Sequence, residues 1–419
     1  MEPTVRASRL DNGLRVVTES VRDVSSVALG LWVENGSRYE SQELNGVSHF
    51  IEHLLFKGTP TRSAFAIAEQ IEGVGGSIDA FTTKEYTCFH TRSLAAHLGL
   101  SLDLLADIFL NSCFRPDDLE LERDVIIHEI LDADAVPEDS IHDYYMKSWW
   151  PGHPLGWPVA GTVDSVSSIV RDDLLACVRD AFRADRVVIA AAGAVGHEEL
   201  LDMCREAFQS LPVGHSTLKR DKPDFNPGLF VCSRDIEQVH ILAGLPGLSV
   251  TDPRRETAEL MIAALGGGMS SRLFQSVREQ RGKSYSVYAF LNPFSDIGYT
   301  AIYASTNRSD VTEVIGLITD ELRELRRTGL KPEELQRTRT QLIGGIPLSL
   351  ESTDSRMFRI AKNQLYFGEE IPVSKVIEDI GAVTNDDIIE LAQDMFAFER
   401  MGVALLGDAD PGMLSLPVS

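Results

Sequence analysis

The order of predicted elements limits the fold of this chain more than any other feature. Alternating apolar residues predict strands over 8–34 and 77–91, with helices between and after them. Strands and helices recur in a similar order over 228–328, although no residue-level repeat accompanies them. A polar segment with three prolines, residues 212–227, separates the two halves. The sequence therefore predicts two domains of one architecture.

The length of 419 residues agrees with this division, because one hydrophobic core rarely serves more than about 250–300 residues. We expect an α+β fold of two similar domains, each a mostly antiparallel sheet packed against helices. The predicted boundaries are 1–213 for the N-terminal domain, 214–224 for the linker and 225–419 for the C-terminal domain. A helix predicted near 44–57, in the N-terminal domain, carries a motif that the second half lacks.

Charge and cysteine content narrow the partners and the compartment. The chain has 39 Lys and Arg against 63 Asp and Glu, a formal charge of −24 that argues against nucleic acid and favours cationic partners, such as basic peptides. Five scattered cysteines without CxxC spacing favour a reducing compartment. The start lacks the apolar core of a signal peptide, and no apolar run approaches the ~18 residues of a membrane span. We expect a bacterial cytoplasmic protein, with an organellar matrix as the alternative for a mature chain.

The motif is the run His49-Phe50-Ile51-Glu52-His53. Two histidines four residues apart lie on one side of a helix, and Glu52 is three residues from His49 on nearly the same side. Glu directly before the second His is the inverse of the commoner HExxH zinc motif. A catalytic zinc needs three protein ligands and one open position, so this motif lacks one ligand.

The best candidate for the missing ligand is Glu129, on a helical stretch predicted from 116 to 150. Glu122 lies seven residues earlier, two turns away on the same face, where it could orient a ligand. His128 points about 100° away from Glu129 around the helix, so we interpret it as a core or surface histidine.

These residues and their spacing resemble the pitrilysin and mitochondrial processing peptidase family of zinc peptidases. Glu129 follows His53 by 76 positions in this chain. The resemblance implies that His49, His53 and Glu129 bind one zinc ion per chain. It also implies that Glu52 is the base that takes a proton from zinc-bound water, and that Glu122 is an assisting acid beside the ligands.

The segment after Gly75 resembles the glycine turn and edge strand on which this family holds a substrate peptide as an added strand. The substrate-binding residues that the resemblance implies are Gly76, Asp79, Ala80, Phe81 and Thr82. The family commonly has Asn where this chain has Asp79. Without the zinc motif, an ordinary hairpin would explain the same pattern.

In the second half, Arg278 and Tyr285 resemble the Arg and Tyr with which the family closes over the substrate and stabilises the tetrahedral oxyanion. Long single-chain members enclose substrate between two halves, and this chain has the length of one half. The resemblance therefore implies a homodimer in which Arg278 and Tyr285 of one chain serve the zinc of the other. A heterodimer with a related subunit, and action of the pair within one chain, are the open alternatives.

The function that follows is a zinc-dependent endopeptidase, acting on peptides or unfolded, presequence-like segments in a chamber closed by dimerisation. The alternative is a non-catalytic peptide-binding subunit, or a structural core subunit of a larger complex. Such relatives usually lose motif residues, and this chain retains them all. A purely structural zinc site would normally have four ligands rich in Cys, whereas no Cys lies in the motif.

Overall fold

The computed structural model describes residues 4–214, 218, 220–410 and 412. Its backbone divides into two compact units, each built from three separate stretches of the chain. The first unit comprises Met1–Asp132, Trp157–Arg220 and Ser349–Glu370, and the second comprises Ala133–Gly156, Asp221–Leu348 and Ile371–Ser419. Part of the predicted linker, residues 215–217 and 219, lies outside the described residues.

The strands are, in chain order, β1 Thr4–Arg9, β2 Arg15–Ser20, β3 Ser26–Val33, β4 Ser77–Thr82, β5 Thr87–Leu94, β6 Val187–Gly193, β7 Gly228–Ser233, β8 Val239–Gly247, β9 Ser286–Pro293, β10 Gly298–Thr306 and β11 Gly402–Gly407. The helices are α1 Val47–Leu55, α2 Ala64–Glu72, α3 Leu98–Asn111, α4 Pro116–Ala135, α5 Pro137–Trp149, α6 Val163–Ser168, α7 Arg171–Ala181, α8 His197–Ala207, α9 Arg255–Gly266, α10 Val311–Thr328, α11 Pro332–Ser349, α12 Thr353–Tyr366, α13 Val373–Ala382 and α14 Asn385–Met395.

The two sheets share a strand order. The first runs β1-β2-β6-β3-β5-β4 and the second β7-β11-β8-β10-β9, so the second repeats the first from β2 onward. The pairs β2–β6 and β7–β11 are parallel, and the other repeated pairs of both sheets are antiparallel. The predicted α+β class, with mostly antiparallel sheets packed against helices, is confirmed.

Each unit includes a helical segment from the other half of the chain, Ser349–Glu370 in the first unit and Ala133–Gly156 in the second. The units therefore differ from the predicted contiguous domains, 1–213 and 225–419. Strand β6 is buried along its whole length, and a strand buried on both faces needs cover on both. Helices of the N-terminal half cover one face of the first sheet. On the other face, Met357 and Ile360 of α12 pack against Trp32 and Val188. In the second unit, α5 covers a sheet face in the same way, with Tyr145 and Trp149 among its buried side chains.

The helical stretch predicted over 116–150 is two helices, which corrects the single-helix expectation. The break falls at Val136, where the backbone is extended, and α5 starts with Pro137. Proline has no N–H and restrains the preceding residue, so it begins a helix more readily than it continues one. No described helix is long and apolar enough to cross a membrane.

Candidate metal centre

Helix α1 presents the motif because its apolar residues all lie on the opposite side. Val47, Phe50, Ile51, Leu54 and Leu55 are buried in the core of the first unit. This i, i+3, i+4, i+7 spacing fixes the rotation of the helix about its axis. His49, Glu52 and His53 are consequently half-buried on the other side.

A buried carboxylate fixes where α1 begins. Both oxygens of Glu40 accept backbone N–H bonds at 2.8 Å, from Gly46 and Ser48, and Asn45 Nδ2 donates another at 3.0 Å. Burial raises the pKa of Glu40, and these hydrogen bonds oppose the rise. Gly46 has φ +96°, and a Cβ there would lie 2.6 Å from the carbonyl oxygen of Ala160. Glu40 and Gly46 therefore position the helix that carries the motif.

Three side chains of the first unit that the sequence analysis named as candidate zinc ligands lie close together. His53 Nε2 lies 3.4 Å and His49 Nε2 3.8 Å from Glu129 Oε2. The three candidate ligand atoms all lie within 4.8 Å of one another, a spacing that no other group of three or more His, Cys, Asp or Glu residues reaches among the described residues. Ligand atoms on a tetrahedral zinc with bonds of about 2.0–2.1 Å are about 3.4 Å apart, which is close to the two separations from Glu129.

The protonation of His49 and the hydrogen bond made by His53 also fit a metal. Burial, and secondarily the nearby His53, lowers the pKa of His49 to about 4, so His49 is neutral at pH 7. The His53 Nδ1–H donates to Glu122 Oε2 at 3.1 Å, which leaves the Nε2 lone pair of His53 toward Glu129. A carboxylate behind a histidine is the usual support for a metal ligand. Two imidazoles and one carboxylate make a suitable donor set for zinc.

Glu52 lies beside this group but does not join it. Its Oε2 accepts a 2.6 Å hydrogen bond from Thr82 Oγ1, at the end of β4. Burial raises the pKa of Glu52, while the Thr82 hydroxyl lowers it. A half-buried carboxylate with a raised pKa, held by one oxygen, has the properties of a general base.

Strand β4 is an edge of the first sheet, since it pairs with β5 alone among the described strands. Thr83 N–H bonds the Tyr86 carbonyl at 2.8 Å and closes the hairpin. The antiparallel alternation then turns the backbone groups of Ile78, Ala80 and Thr82 away from β5. The outward N–H of Ala80 donates to the Asp79 side chain at 2.8 Å.

Two of the predicted substrate-binding residues also have packing roles. The Phe81 ring stands edge-on to Trp32, with centroids 5.9 Å apart, and contacts Phe358 of α12 in the same geometry. A Cβ at Gly76 would lie 2.8 Å from the Arg92 carbonyl oxygen, so this turn requires glycine for close approach to β5.

Arg278 and Tyr285 belong to the second unit and contact each other. The Arg278 guanidinium lies 4.8 Å from the Tyr285 ring centroid and 4.7 Å from that of Phe274. The helix predicted over 270–281 contains a π-helical turn at Phe274–Glu279, which includes Arg278. Tyr285 is 76% exposed.

Other contacts at the site were outside the sequence prediction. Lys57 Nζ lies 2.6 Å from Glu122 Oε1. The sequence signal for this contact was that Lys57 follows His53 by four residues, which puts both on the same side of the chain. No sequence pattern indicated the role of Glu40, because its contacts depend on the conformation of the loop before α1. His128 stands apart from the ligand group, and its Nδ1 lies 2.7 Å from the Asp124 carbonyl oxygen.

Comparison with known proteins places the chain in a family. Residues 15–163 match the family model described as Insulinase (Peptidase family M16), and residues 168–342 match the model described as Peptidase M16 inactive domain. A Bacillus subtilis protein named an uncharacterized zinc protease is 38% identical over 94% of this chain and 96% of its own length. A Streptomyces coelicolor protein of the same description is 38% identical over 96% of this chain and 90% of its own.

Solved structures show the same fold. A protease from Helicobacter pylori superimposes with a TM-score of 0.91 over 97% of this chain and 100% of its own, at 18% identity. A peptidase M16 inactive domain from Pseudomonas fluorescens gives a TM-score of 0.90 over 96% and 98%, at 22% identity. With this fold, these sequence relatives and the HxxEH motif on α1, the chain belongs to the M16, or insulinase, family of peptidases.

Proposed function

We propose that this chain is a zinc-dependent endopeptidase in which His49, His53 and Glu129 hold one zinc ion. The observation that carries the proposal is the convergence of these three ligand atoms within 4.8 Å of one another, with Glu52 beside them. The relatives named as zinc proteases support it. When bound, zinc acts as a Lewis acid that polarises a peptide carbonyl and makes water more acidic.

Glu52 is the general base and then the general acid. Its Oε2 is held by Thr82, so Oε1 accepts the proton of the attacking water and later delivers it to the leaving amine. The raised pKa of Glu52 brings its basicity closer to that needed near neutral pH. Glu122 fixes the tautomer of His53.

The substrate is a peptide or an unfolded segment in extended conformation. The outward backbone groups of Ile78, Ala80 and Thr82 can pair with it as an added strand. Thr82 also contacts Glu52, so a peptide on β4 lies next to the base. The net charge of −24 favours basic, presequence-like segments over acidic ones.

A homodimer completes the site. The chain carries the zinc motif and the Arg278 and Tyr285 pair together, and Tyr285 is 76% exposed. In this proposal the pair from one chain donates to the oxyanion at the zinc of the other. A related, nonidentical subunit in the partner position is the alternative assembly.

The test compares the wild type with Glu52→Gln and Glu129→Gln, measuring zinc per chain and cleavage of a quenched fluorescent basic peptide. Glu120→Gln is the matched control, because Glu120 is exposed on the same helix as Glu129. We expect Glu52→Gln to keep one zinc per chain and lose at least ~100-fold in kcat/KM. Glu129→Gln should lose zinc, and the control should match the wild type.

Full activity of Glu52→Gln would refute the general-base assignment. A wild-type protein that neither binds zinc nor cleaves peptides would refute the proposed function and favour a non-catalytic subunit.

A further inference from the structure

The side chain of Glu122 bridges a cation and a proposed zinc ligand. Its Oε1 lies 2.6 Å from Lys57 Nζ, and its Oε2 lies 3.1 Å from His53 Nδ1. The two oxygens of one carboxylate therefore have different partners, which fixes the rotation of the carboxylate plane.

Local structure places both partners on the same side. Lys57 follows His53 by four residues, and its backbone N–H donates to the Leu54 carbonyl at 3.1 Å, which continues the last turn of α1. His53 and Lys57 thus approach Glu122 on α4 from consecutive turns. The contact joins the motif helix to the helix that also carries Glu129.

Glu122 is buried, so its carboxylate needs a cation close to it. The side chain of Glu122 is 3% exposed, and that of Lys57 is 31% exposed. A buried carboxylate without a countercharge is strongly unfavourable. Among the described residues, the cationic groups within ion-pair distance of Glu122 are Lys57 and His53. Since a zinc ligand must be a neutral imidazole, Lys57 is then the cationic side chain that pairs with Glu122.

We propose that Lys57 is a positioning residue of the metal centre. Its ammonium neutralises Glu122 and holds Oε1, so that Oε2 accepts the His53 Nδ1–H and Nε2 faces the metal position. Lys57 acts through Glu122 and His53, and touches neither metal nor substrate. This inference rests on the proposed zinc function.

A double-mutant cycle separates this role from a simple structural contact between α1 and α4. The variants are Lys57→Met, Lys57→Gln, Lys57→Arg, Glu122→Gln and the double variant Lys57→Met with Glu122→Gln. The readouts are the zinc Kd, from competition with a chromogenic chelator, and the Tm of each metal-free protein. Lys147→Met is the control, because Lys147 is exposed on α5 of the second unit.

We expect Lys57→Met to weaken zinc binding ~10-fold or more, as for loss of other groups that support metal ligands. Lys57→Gln should do the same, and it provides the comparison if the Met variant does not fold. Lys57→Arg keeps the charge and should stay within about threefold of the wild type. In the Glu122→Gln background the Lys57→Met change should weaken binding by less than about twofold, because a neutral amide needs no countercharge.

A wild type that binds zinc while both neutral Lys57 variants bind it equally well would overturn the role of Lys57 alone. Equal losses from Lys57→Met in the wild-type and Glu122→Gln backgrounds would overturn it too, because the effect would not pass through Glu122. A wild type that binds no zinc would overturn this inference together with the proposed function.

Discussion

Burial of His49 makes the metal-free protein sensitive to acid. The His49 side chain is 17% exposed, and its ring centroid lies 4.7 Å from that of His53. These surroundings lower the pKa of His49 from 6.5 to about 4 in the folded chain. In the unfolded chain the imidazole keeps an ordinary pKa near 6.5. Between these values the unfolded state binds more protons, so acid favours unfolding.

The size of the effect follows from the same shift. A difference of 6.5 minus about 4 corresponds to about 3 kcal/mol in full, because each pKa unit is worth about 1.4 kcal/mol. About 2 kcal/mol of this free energy of unfolding is lost between pH 7 and pH 5, and the remainder is lost below pH 5. The stability is fully present above pH 6.5, since the depressed pKa belongs to the folded state.

Two measurements on chelator-treated protein check this prediction. NMR of ¹³C-labelled histidines should show that the resonance lost in His49→Gln titrates near pH 4 in the folded wild type. Urea unfolding of the first unit, at pH 7 and pH 5, should show a loss about 2 kcal/mol larger in the wild type than in His49→Gln. Titration of His49 near pH 6.5, or equal losses in the two proteins, would refute the reasoning.

Other predictions concern the base, the helix cap and the assembly. Thr82→Val removes the hydroxyl that lowers the pKa of Glu52, so the acidic limb of the kcat/KM profile should move to higher pH, while Thr82→Ser should leave it in place. An unshifted limb in the valine variant would exclude this contact as a pKa determinant. Glu40→Ala leaves the Gly46 and Ser48 amides without their acceptor and should cost ~2 kcal/mol in unfolding free energy, measured by urea denaturation. A loss below about 0.5 kcal/mol would contradict the cap. Mixing the Glu52→Gln and Tyr285→Phe proteins and allowing subunits to exchange gives dimers with Glu52 on one chain and Tyr285 on the other. Activity should be restored if Tyr285 acts across the dimer, and should stay absent if Tyr285 acts within its own chain.

The local part of the site could be predicted from the sequence because it depends on helical geometry. The apolar residues of α1 fix which side is buried, and the spacing of four puts His49 and His53 together on the other. The spacing of seven aligned Glu122 with Glu129 on α4 in the same way. The class of the fold followed from the order of strands and helices.

Contacts that depend on how distant segments pack could not be predicted. Helix α12 has an amphipathic pattern that suits many surfaces, and the pattern does not specify the sheet face that includes Trp32. The contact between Lys57 and Glu122 could not be predicted, because a lysine that follows a helix is ordinarily expected to be exposed. The contact between Thr82 and Glu52 requires the end of β4 to lie against α1, which no local pattern encodes.

The most direct test is zinc-edge anomalous diffraction from crystals of the purified protein. We predict one anomalous peak per chain, within bonding distance of His49 Nε2, His53 Nε2 and a Glu129 carboxylate oxygen, with Glu52 nearby but not bound. A peak at another place, or zinc-loaded protein with no peak at this group, would contradict it.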